Sequence, residues 1–356
     1  MASIRDFLRN PHFETPKEQP VDIDFRDYLR QKFDYFLVLL ADVDGFEDIS
    51  YLHDTVIERQ RHLTASINRA VEAYYDGKPA EAYSCFKKGV TSGVKDFREV
   101  LRVRLFNQDS NFYRIRYYEE NFSLPPGEMF HIPFEHRGKV KSQRYSIPGF
   151  PSLYIGTSIY VCWEELGRPH PNHFQAARLV NQNTIQVIDL SKPKSSVSNP
   201  DALYKFLMTW PLILASSIRV KHPEDTFKPE YIVPQLMLQW VREMSSIDGI
   251  AYETTKIDAN KAQFRGEFLN LVIPVKTSRN RGICQRLSRM FRMTQATSIP
   301  MKDIASSEVT FMRGSERPEN LIVDRIELVR GQGTRYEDSS FYGLEQELAY
   351  MHAYEL

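Results

Sequence analysis

The segment FPSLYIGTSIYVCWEEL, residues 150–166, decides the fold of the chain around it. Its first part is apolar and rich in strand-forming residues, a turn of small residues follows, and a helix is predicted to begin near Ser158. A serine in that position accepts a hydrogen bond from the first helical turn, so we expect Ser158 to be a helix cap rather than a catalytic group. We expect Cys162, within the apolar part of this helix, to be buried and unreactive.

Further strands and helices are predicted on both sides of this segment. NFYRIRYY (111–118) alternates apolar and charged residues, which places Arg114 and Arg116 on one face of a half-buried strand. SLPPGEMFHIPF (123–134) is predicted to be a loop that passes into a short extended piece. The remaining predicted elements are strands in NTIQVIDL (183–190) and Leu321 to Val329, helices over 201–217 and 231–245, and paired strands in DGIAYETT (248–255) and LNLVIPV (269–275).

Residues 22 to 106 have the pattern of helices. Apolar residues recur at spacings of three and four, and Gly77-Lys78-Pro79 interrupts the pattern before it resumes at Ala80. The two apolar stripes consist of Phe33, Phe36, Leu37, Leu40 and Val43, and of Leu63, Ile67, Ala70, Val71 and Tyr74. We interpret this region as a helical hairpin, not a repeat array, that either packs as a scaffold or binds a regulatory partner.

The sequence therefore predicts an α+β protein in three parts. Residues 1–107 form a helical N-terminal region, residues 108–285 a β-rich domain, and residues 286–356 a polar C-terminal extension whose role the sequence does not indicate. A length of 356 residues exceeds what one ordinary core serves, which agrees with a principal domain plus an appendage.

Charge and composition exclude some classes of function. Lys plus Arg and Asp plus Glu are both 46, which removes the overall electrostatic case for a nucleic-acid or membrane-surface protein. The basic stretch KTSRNRGICQRLSRMFR (276–292) is interpreted as a solvated face, so nucleic acid is an unlikely partner. The N-terminus carries no signal-peptide pattern, and the three cysteines fit no metal or disulfide spacing, so we expect a cytoplasmic protein without a membrane segment.

Several residue types in the β-rich part are costly to bury unless they are paired. These are Arg114, Arg116, Arg144, Tyr154 and Glu165. The chain has no nucleophile elbow and no phosphate-binding glycine-rich loop. The two histidines of RPHPNHF (168–174) are separated by a proline in a loop, so we expect no metal site there.

Residues 112 to 275 resemble the RES domain family, which is named for its Arg, Glu and Ser residues. The resemblance rests on four motifs in order: Tyr113-Arg114-Ile115-Arg116; Gln143-Arg144-Tyr145; Tyr154 with Ser158 four and Glu165 eleven residues later; and Asp248 to Thr254 followed by the strand Asn270 to Pro274. The sequence departs from the family at three positions. Thr254 replaces the family serine, Gln143 a glycine and Tyr145 a tryptophan.

The resemblance implies a fold like that of ADP-ribosyltransferases, with a cleft for NAD. Members of the family are toxins of toxin–antitoxin modules that degrade NAD, in some cases by phosphorolysis, and a few transfer ADP-ribose to a protein. The resemblance thus implies NAD as the substrate, inorganic phosphate as an alternative to water, no metal, and an antitoxin or regulatory protein as a partner. A binding module that has kept the fold without turnover is the alternative from another class.

The resemblance also assigns candidate site residues, and their chemistry suits NAD. Guanidinium groups bind phosphate oxygens through paired hydrogen bonds, so Arg114 and Arg144 are candidate clamps for the pyrophosphate, with Arg116 as the alternative to Arg114 in a shifted register. Glu165 is the candidate carboxylate for stabilising positive charge on the ribose during cleavage. Residues expected to contact nicotinamide or ribose are Tyr154, Tyr145, Thr254 and Tyr252.

Overall fold

The computed structural model of the chain describes residues 7–41, 53–119, 122–192, 200–256, 268–299, 325–329 and 332–356. Its helices are α1 (Phe25–Ala41), α2 (His53–Tyr75), α3 (Pro79–Thr91), α4 (Pro126–Met129), α5 (Ile159–Glu165), α6 (Pro200–Ser216), α7 (Ile232–Glu243), α8 (Gln285–Ser288) and α9 (Ser340–Tyr350). Its strands are β1 (Val103–Phe106), β2 (Asn111–Tyr117), β3 (Ser152–Gly156), β4 (Phe174–Asn181), β5 (Ile185–Asp189), β6 (Gly249–Glu253), β7 (Leu269–Pro274), β8 (Phe291–Thr294), β9 (Arg325–Val329), β10 (Gln332–Arg335) and β11 (Ala353–Glu355). The predicted α+β class is confirmed.

The chain divides into two compact units that alternate along the sequence. Unit 1 comprises residues 1–104, 142–147 and 187–250, and unit 2 comprises residues 105–141, 148–186 and 251–356. Helices α1, α2 and α3, which lie within the stretch predicted to be helical, belong to unit 1 together with α6 and α7. Each unit therefore draws on segments that are far apart in sequence.

Unit 1 is built from helices whose apolar stripes face inward. The stripe predicted for α1 is buried at Phe33, Phe36 and Leu40, whereas Val43 lies outside the described residues. Helices α2 and α3 approach closely at Ser66 and Gly89. A Cβ atom added at Gly89 would lie only 2.6 Å from the Cβ atom of Ser66. Larger side chains at either position would push the two helices apart.

Unit 2 is built around a large sheet. Its strands lie in the order β6-β7-β3-β2-β4-β8-β11, where β6 contributes residues 251–253. Strand β2 is antiparallel to both β3 and β4, and β3 is antiparallel to β7 with Tyr154 opposite Val272 and Gly156 opposite Asn270. Helices α5 and α9 pack together on this sheet, so β2, β3 and β7 form the floor beneath α5.

Most elements predicted from the sequence are present. The strand over 111–118, the strand–turn–helix over 152–165 and the helices near 201–217 and 231–245 are confirmed, as is the adjacency of β6 and β7. The strand predicted from Leu321 is seen from Arg325 to Val329, and residues 321–324 lie outside the described part. The stretch 123–134, predicted to be a loop, contains the short helix α4, because Pro126 occupies its first turn, where a missing N–H costs nothing.

Several elements were not predicted, among them strand β10 and helix α8. Strand β1 lies at residues 103–106, where helix was predicted, because so short a segment shows too little periodicity to distinguish a helix from a strand. Strand β4, whose sequence FQAARLVN has two alanines, is almost wholly buried and lacks the alternation on which strand prediction depends. Strands β8 and β11 and helix α9 lie in the polar C-terminal region. Among the helices in the described part of the chain, none combines the length and apolar character needed to cross a bilayer.

Candidate functional site

The turn between β3 and α5 determines where the motif residues of unit 2 lie. A Cβ atom at Gly156 would lie 2.5 Å from Cγ1 of Val161 and 2.7 Å from Sγ of Cys162, so only glycine lets the strand end this close to the helix. The side chain of Ser158 accepts a 3.1 Å hydrogen bond from the N–H of Val161. The prediction that Ser158 caps the helix is confirmed, and α5 then runs directly to Glu165.

Glu165 is the last residue of α5, and two other elements contact it. Its Oε1 accepts a 2.9 Å hydrogen bond from Nδ2 of Asn270, a buried residue on β7. Its main-chain carbonyl accepts a hydrogen bond from Nζ of Lys256, and the N–H of Lys256 donates to Oγ1 of Thr254 at 3.2 Å. Glu165 is itself partly exposed, so its carboxylate is held in place and still reachable from solvent.

The neighbouring Glu164 has a different role. It is 2% exposed, and both of its carboxylate oxygens accept hydrogen bonds from Arg168 at 2.8 Å. A buried carboxylate that is saturated by one guanidinium is a structural ion pair. Of the two adjacent glutamates, Glu165 is therefore the one with a carboxylate available to a ligand.

Arg114 lies on β2 with an incompletely satisfied guanidinium. Its Nη1 donates a 2.6 Å hydrogen bond to the carbonyl of Tyr154, while its buried Nε has no hydrogen-bond partner among the described residues. Burial, with a contribution from the nearby Arg116, lowers the pKa of Arg114 to about 10. A buried N–H donor without an acceptor is costly, and an anionic ligand would relieve that cost.

Arg116 lies on the same face of β2 as Arg114, as the alternation predicted. Its Nη1 donates to the main-chain carbonyl of Glu128. Arg116 is thus tied to the short helix α4, whereas Arg114 reaches towards β3. This difference favours Arg114 over the shifted-register alternative.

Cys162 is a buried residue on the side of α5 that contacts β2. Burial raises the pKa of its thiol to about 12, the positive charge of Arg114 opposes that rise, and the negative charge of Glu165 adds to it. The thiol donates to the carbonyl of Tyr113 at 3.2 Å. Cys162 is buried, as predicted. We name Arg114 on β2, Glu165 at the end of α5 and Asn270 on β7 the α5 site, because α5 packs on both of these strands.

His131 is a further buried group of unit 2, and no sequence pattern indicated it. Its Nε2 accepts a 2.7 Å hydrogen bond from the N–H of Cys284, so its Nδ1 carries the proton and donates to the carbonyl of Ile132 at 2.8 Å. Burial, with a smaller effect from Arg114, lowers the pKa of His131 to about 4. The ring is therefore neutral at physiological pH and supports the loop before residue 284.

The other residues predicted for unit 2 lie on neighbouring strands. Tyr154 on β3 lies opposite Val272 on β7 and is half-buried. Its main-chain carbonyl accepts the hydrogen bond from Arg114. Tyr252 on β6 and Thr254 just after it are 8% and 7% exposed. Their predicted contacts with nicotinamide and ribose stay predictions.

Arg144 and Tyr145 belong to unit 1. Arg144 donates from Nη1 to the carbonyl of Ser216 at 2.9 Å and from Nη2 to that of Ile218 at 2.8 Å, and its guanidinium lies 5.4 Å from the ring centre of Tyr231. These contacts fix the chain just after α6. Tyr145 is 1% exposed. The structure therefore gives Arg144 a local supporting role in its own unit, and its predicted role as a phosphate clamp stays a prediction.

Within the described ranges, no group of three or more histidine, cysteine, aspartate or glutamate side chains is arranged to hold a metal ion. The two histidines of the 168–174 loop have partners of their own. Nδ1 of His170 accepts from the N–H of Asn172 at 3.3 Å, and Nδ1 of His173 lies 3.9 Å from Oε1 of Glu119.

Comparison with known proteins gives a relative with a toxin name. The chain is 35% identical over 303 residues to a Bacillus subtilis (strain 168) protein named "Putative toxin YopC". The match covers 79% of this chain and 66% of that relative, so the chain spans slightly less than two thirds of the relative's length. No family model matches the chain, and no solved structure matches it.

Proposed function

We propose that the protein is a RES-type enzyme that binds NAD and cleaves the bond between nicotinamide and ribose. The observation that carries this proposal is the arrangement of the α5 site. There, Asn270 orients Glu165 at the end of α5, and Arg114, on the strand β2 against which α5 packs, has an Nε without a partner among the described residues. A fixed carboxylate and a donor for an anion are the two groups that this reaction requires.

Glu165 would act on the ribose. Cleavage breaks the N-glycosidic bond, nicotinamide leaves with the electron pair, and positive charge develops on the ribosyl ring. A carboxylate held beside that ring stabilises the developing charge, because a preorganised charge needs little rearrangement during the reaction. The hydrogen bond from Asn270 restricts Glu165 to one orientation while leaving its Oε2 for the substrate.

Arg114 would bind a phosphate oxygen. Its free Nε donor and planar guanidinium suit the pyrophosphate of NAD or, in phosphorolysis, the attacking phosphate. The acceptor then adds to the ribose carbon: water gives ADP-ribose and a proton, and phosphate gives ADP-ribose 1″-phosphate. Both reactions balance without an oxidant or a metal ion.

The biological role that we propose is that of a toxin. The relative from Bacillus subtilis carries that word in its name, and loss of NAD would halt the metabolism of a cell. An antitoxin or another regulatory protein would then be needed to restrain the activity. A cytoplasmic location would follow from a cytoplasmic substrate pool.

The test is NAD consumption by the purified full chain, with and without inorganic phosphate, together with detection of released nicotinamide. We expect turnover by the wild type and at least a hundredfold loss in Glu165→Gln, which keeps the shape of the side chain and removes its charge. Glu224→Gln, at an exposed position in unit 1, is the matched control and should retain wild-type activity.

Other outcomes would identify the alternatives. Equal turnover in Glu165→Gln and the wild type would overturn the assignment of Glu165. Transfer of labelled ADP-ribose to a protein would show a transferase, and NAD binding without nicotinamide release would show an inactive binding module.

A further inference from the structure

The C-terminal region contacts Ile159, the first residue of α5. Glu345 on α9 is 7% exposed, and its Oε1 accepts a 2.6 Å hydrogen bond from the main-chain N–H of Ile159. The hydroxyl of Tyr336 donates to the same oxygen. The N–H of Ile159 belongs to the first turn of α5, where no preceding helical carbonyl is available to accept it. Glu345 therefore supplies an acceptor that α5 cannot supply itself.

Aromatic packing reinforces this contact. The ring of Phe341 on α9 lies 5.1 Å from Trp163 and 5.8 Å from Tyr160, both on α5. The ring of Tyr336 lies 6.3 Å from Tyr160. Together with Leu344 and Leu348 these side chains form one buried cluster, so one face of α5 is covered by residues 336–348.

We propose that Glu345 is a positioning residue for Glu165: it anchors α9 to the beginning of α5 and so holds the end of α5, where Glu165 lies, against Asn270. The C-terminal region, whose role the sequence did not indicate, is in this view a working part of the α5 site. The inference rests on the proposed function for its effect on catalysis, whereas the anchoring of α5 is independent of it.

Geometry supports the transmission of this effect along the helix. Helix α5 has seven residues, so its two ends are separated by only about two turns, or roughly 10 Å. A helix this short has little stability of its own and depends on tertiary contacts at both ends. Loss of the contact at Ile159 should therefore loosen the end that carries Glu165.

The experiment compares Glu345→Ala and Glu345→Gln with the wild-type full chain. Hydrogen exchange of peptides from residues 159–166 reports the order of α5 without any activity measurement. We expect exchange about tenfold faster in Glu345→Ala, which corresponds to the loss of one hydrogen bond, and near-normal protection in Glu345→Gln, whose amide oxygen can accept the same bonds. Glu355→Gln, an exposed change on β11, is the control.

Steady-state kinetics supply the second readout. We expect kcat for NAD cleavage to fall about tenfold or more in Glu345→Ala with KM nearly unchanged, and to be largely restored in Glu345→Gln. A variant that simply unfolds would instead lose protection throughout unit 2, including β2 and β4. Unchanged exchange of α5 in Glu345→Ala would overturn the proposal. A wild type without NAD turnover but with faster α5 exchange in the alanine variant would refute the proposed function and leave the anchoring role intact.

Discussion

Asn270 holds the carboxylate of Glu165 through a 2.9 Å hydrogen bond that joins β7 to the end of α5. The two residues are 105 positions apart in sequence, and Asn270 is 4% exposed. A buried amide that donates to a carboxylate both stabilises its charge and restricts its rotation. This relationship makes Asn270 the clearest addition to the site predicted from sequence.

Asn270→Ala should lower kcat for NAD cleavage by about tenfold, because Glu165 would lose the donor that orients its carboxylate. KM should change less than threefold. The measurement is steady-state kinetics of nicotinamide release, with Asn183→Ala, at an exposed position, as the control. A variant with wild-type kcat would show that Glu165 is positioned by other contacts.

The two arginines of β2 should differ in their importance for substrate binding. Arg114→Lys should raise KM for NAD by about tenfold, because lysine lacks the planar fork and the Nε donor of arginine. Arg116→Lys should change KM less than twofold, since Arg116 is engaged with the carbonyl of Glu128. The measurement is KM for NAD of each variant and of the wild type, over a range of NAD and phosphate concentrations. The opposite ranking would make Arg116 the ligand.

Gly156→Ala should destabilise unit 2. The new Cβ atom would overlap Cγ1 of Val161 and Sγ of Cys162, and overpacking of this kind typically costs about 1–3 kcal/mol. Gly138→Ala is the matched control, because a Cβ atom there would meet nothing within 4 Å. Thermal denaturation followed by circular dichroism should show a lower Tm for the first variant alone. Equal melting of both variants would mean that the β3–α5 turn relaxes at little cost.

Glu345 should make the stability of the protein depend on pH near neutrality. Burial raises the pKa of Glu345 from 4.5 to about 7, against the opposing effects of the Tyr336 hydroxyl and the Ile159 N–H. The folded state then binds more protons than the unfolded state between these values, so stability falls as pH rises from about 4.5 to about 7 and is constant above. The full difference amounts to about 3 kcal/mol as an order of magnitude.

Glu345→Gln should remove this dependence. Together with burial, Glu345 also raises the pKa values of three neighbouring groups, Tyr113, Cys162 and Tyr336. All three stay neutral in this range. The depressed pKa values of His131 and His12 act in the opposite direction below about pH 6.5, so the quantity to measure is Tm of the variant minus Tm of the wild type. That difference should grow from pH 5 to pH 7.5, and a flat difference would contradict the prediction.

The candidate site could be predicted from sequence where local patterns determine structure. Alternation on β2 placed Arg114 and Arg116 on one face, and the capping serine at 158 fixed where α5 begins and hence where Glu165 lies. The resemblance to the RES family directed attention to these residues. It selected Glu165 by its spacing from Tyr154, and it preferred Arg114 with Arg116 as the alternative in a shifted register.

The tertiary structure supplies the contacts that distinguish these residues from their neighbours. The carboxylate of Glu164 accepts hydrogen bonds from Arg168, and Arg116 donates to the carbonyl of Glu128. Both contacts depend on how the elements pack. Likewise, Arg144 precedes the core strand of unit 2 by only a few residues yet lies in unit 1, where it binds the carbonyls of Ser216 and Ile218. Proximity along the chain did not indicate this, because the chain passes between the units several times.

By itself, the sequence determined the α+β class, the helices α1, α2 and α3 and the strand–turn–helix from Ser152 to Glu165. These depend on periodicity, capping and turn residues, which act over a few positions. Only the tertiary structure decided that Asn270 holds Glu165 and that Glu345 holds Ile159, pairs that are 105 and 186 residues apart. Such contacts depend on the register of the sheet and on which helix faces are buried. Single polar residues like these do not contribute to the apolar periodicity from which elements are predicted.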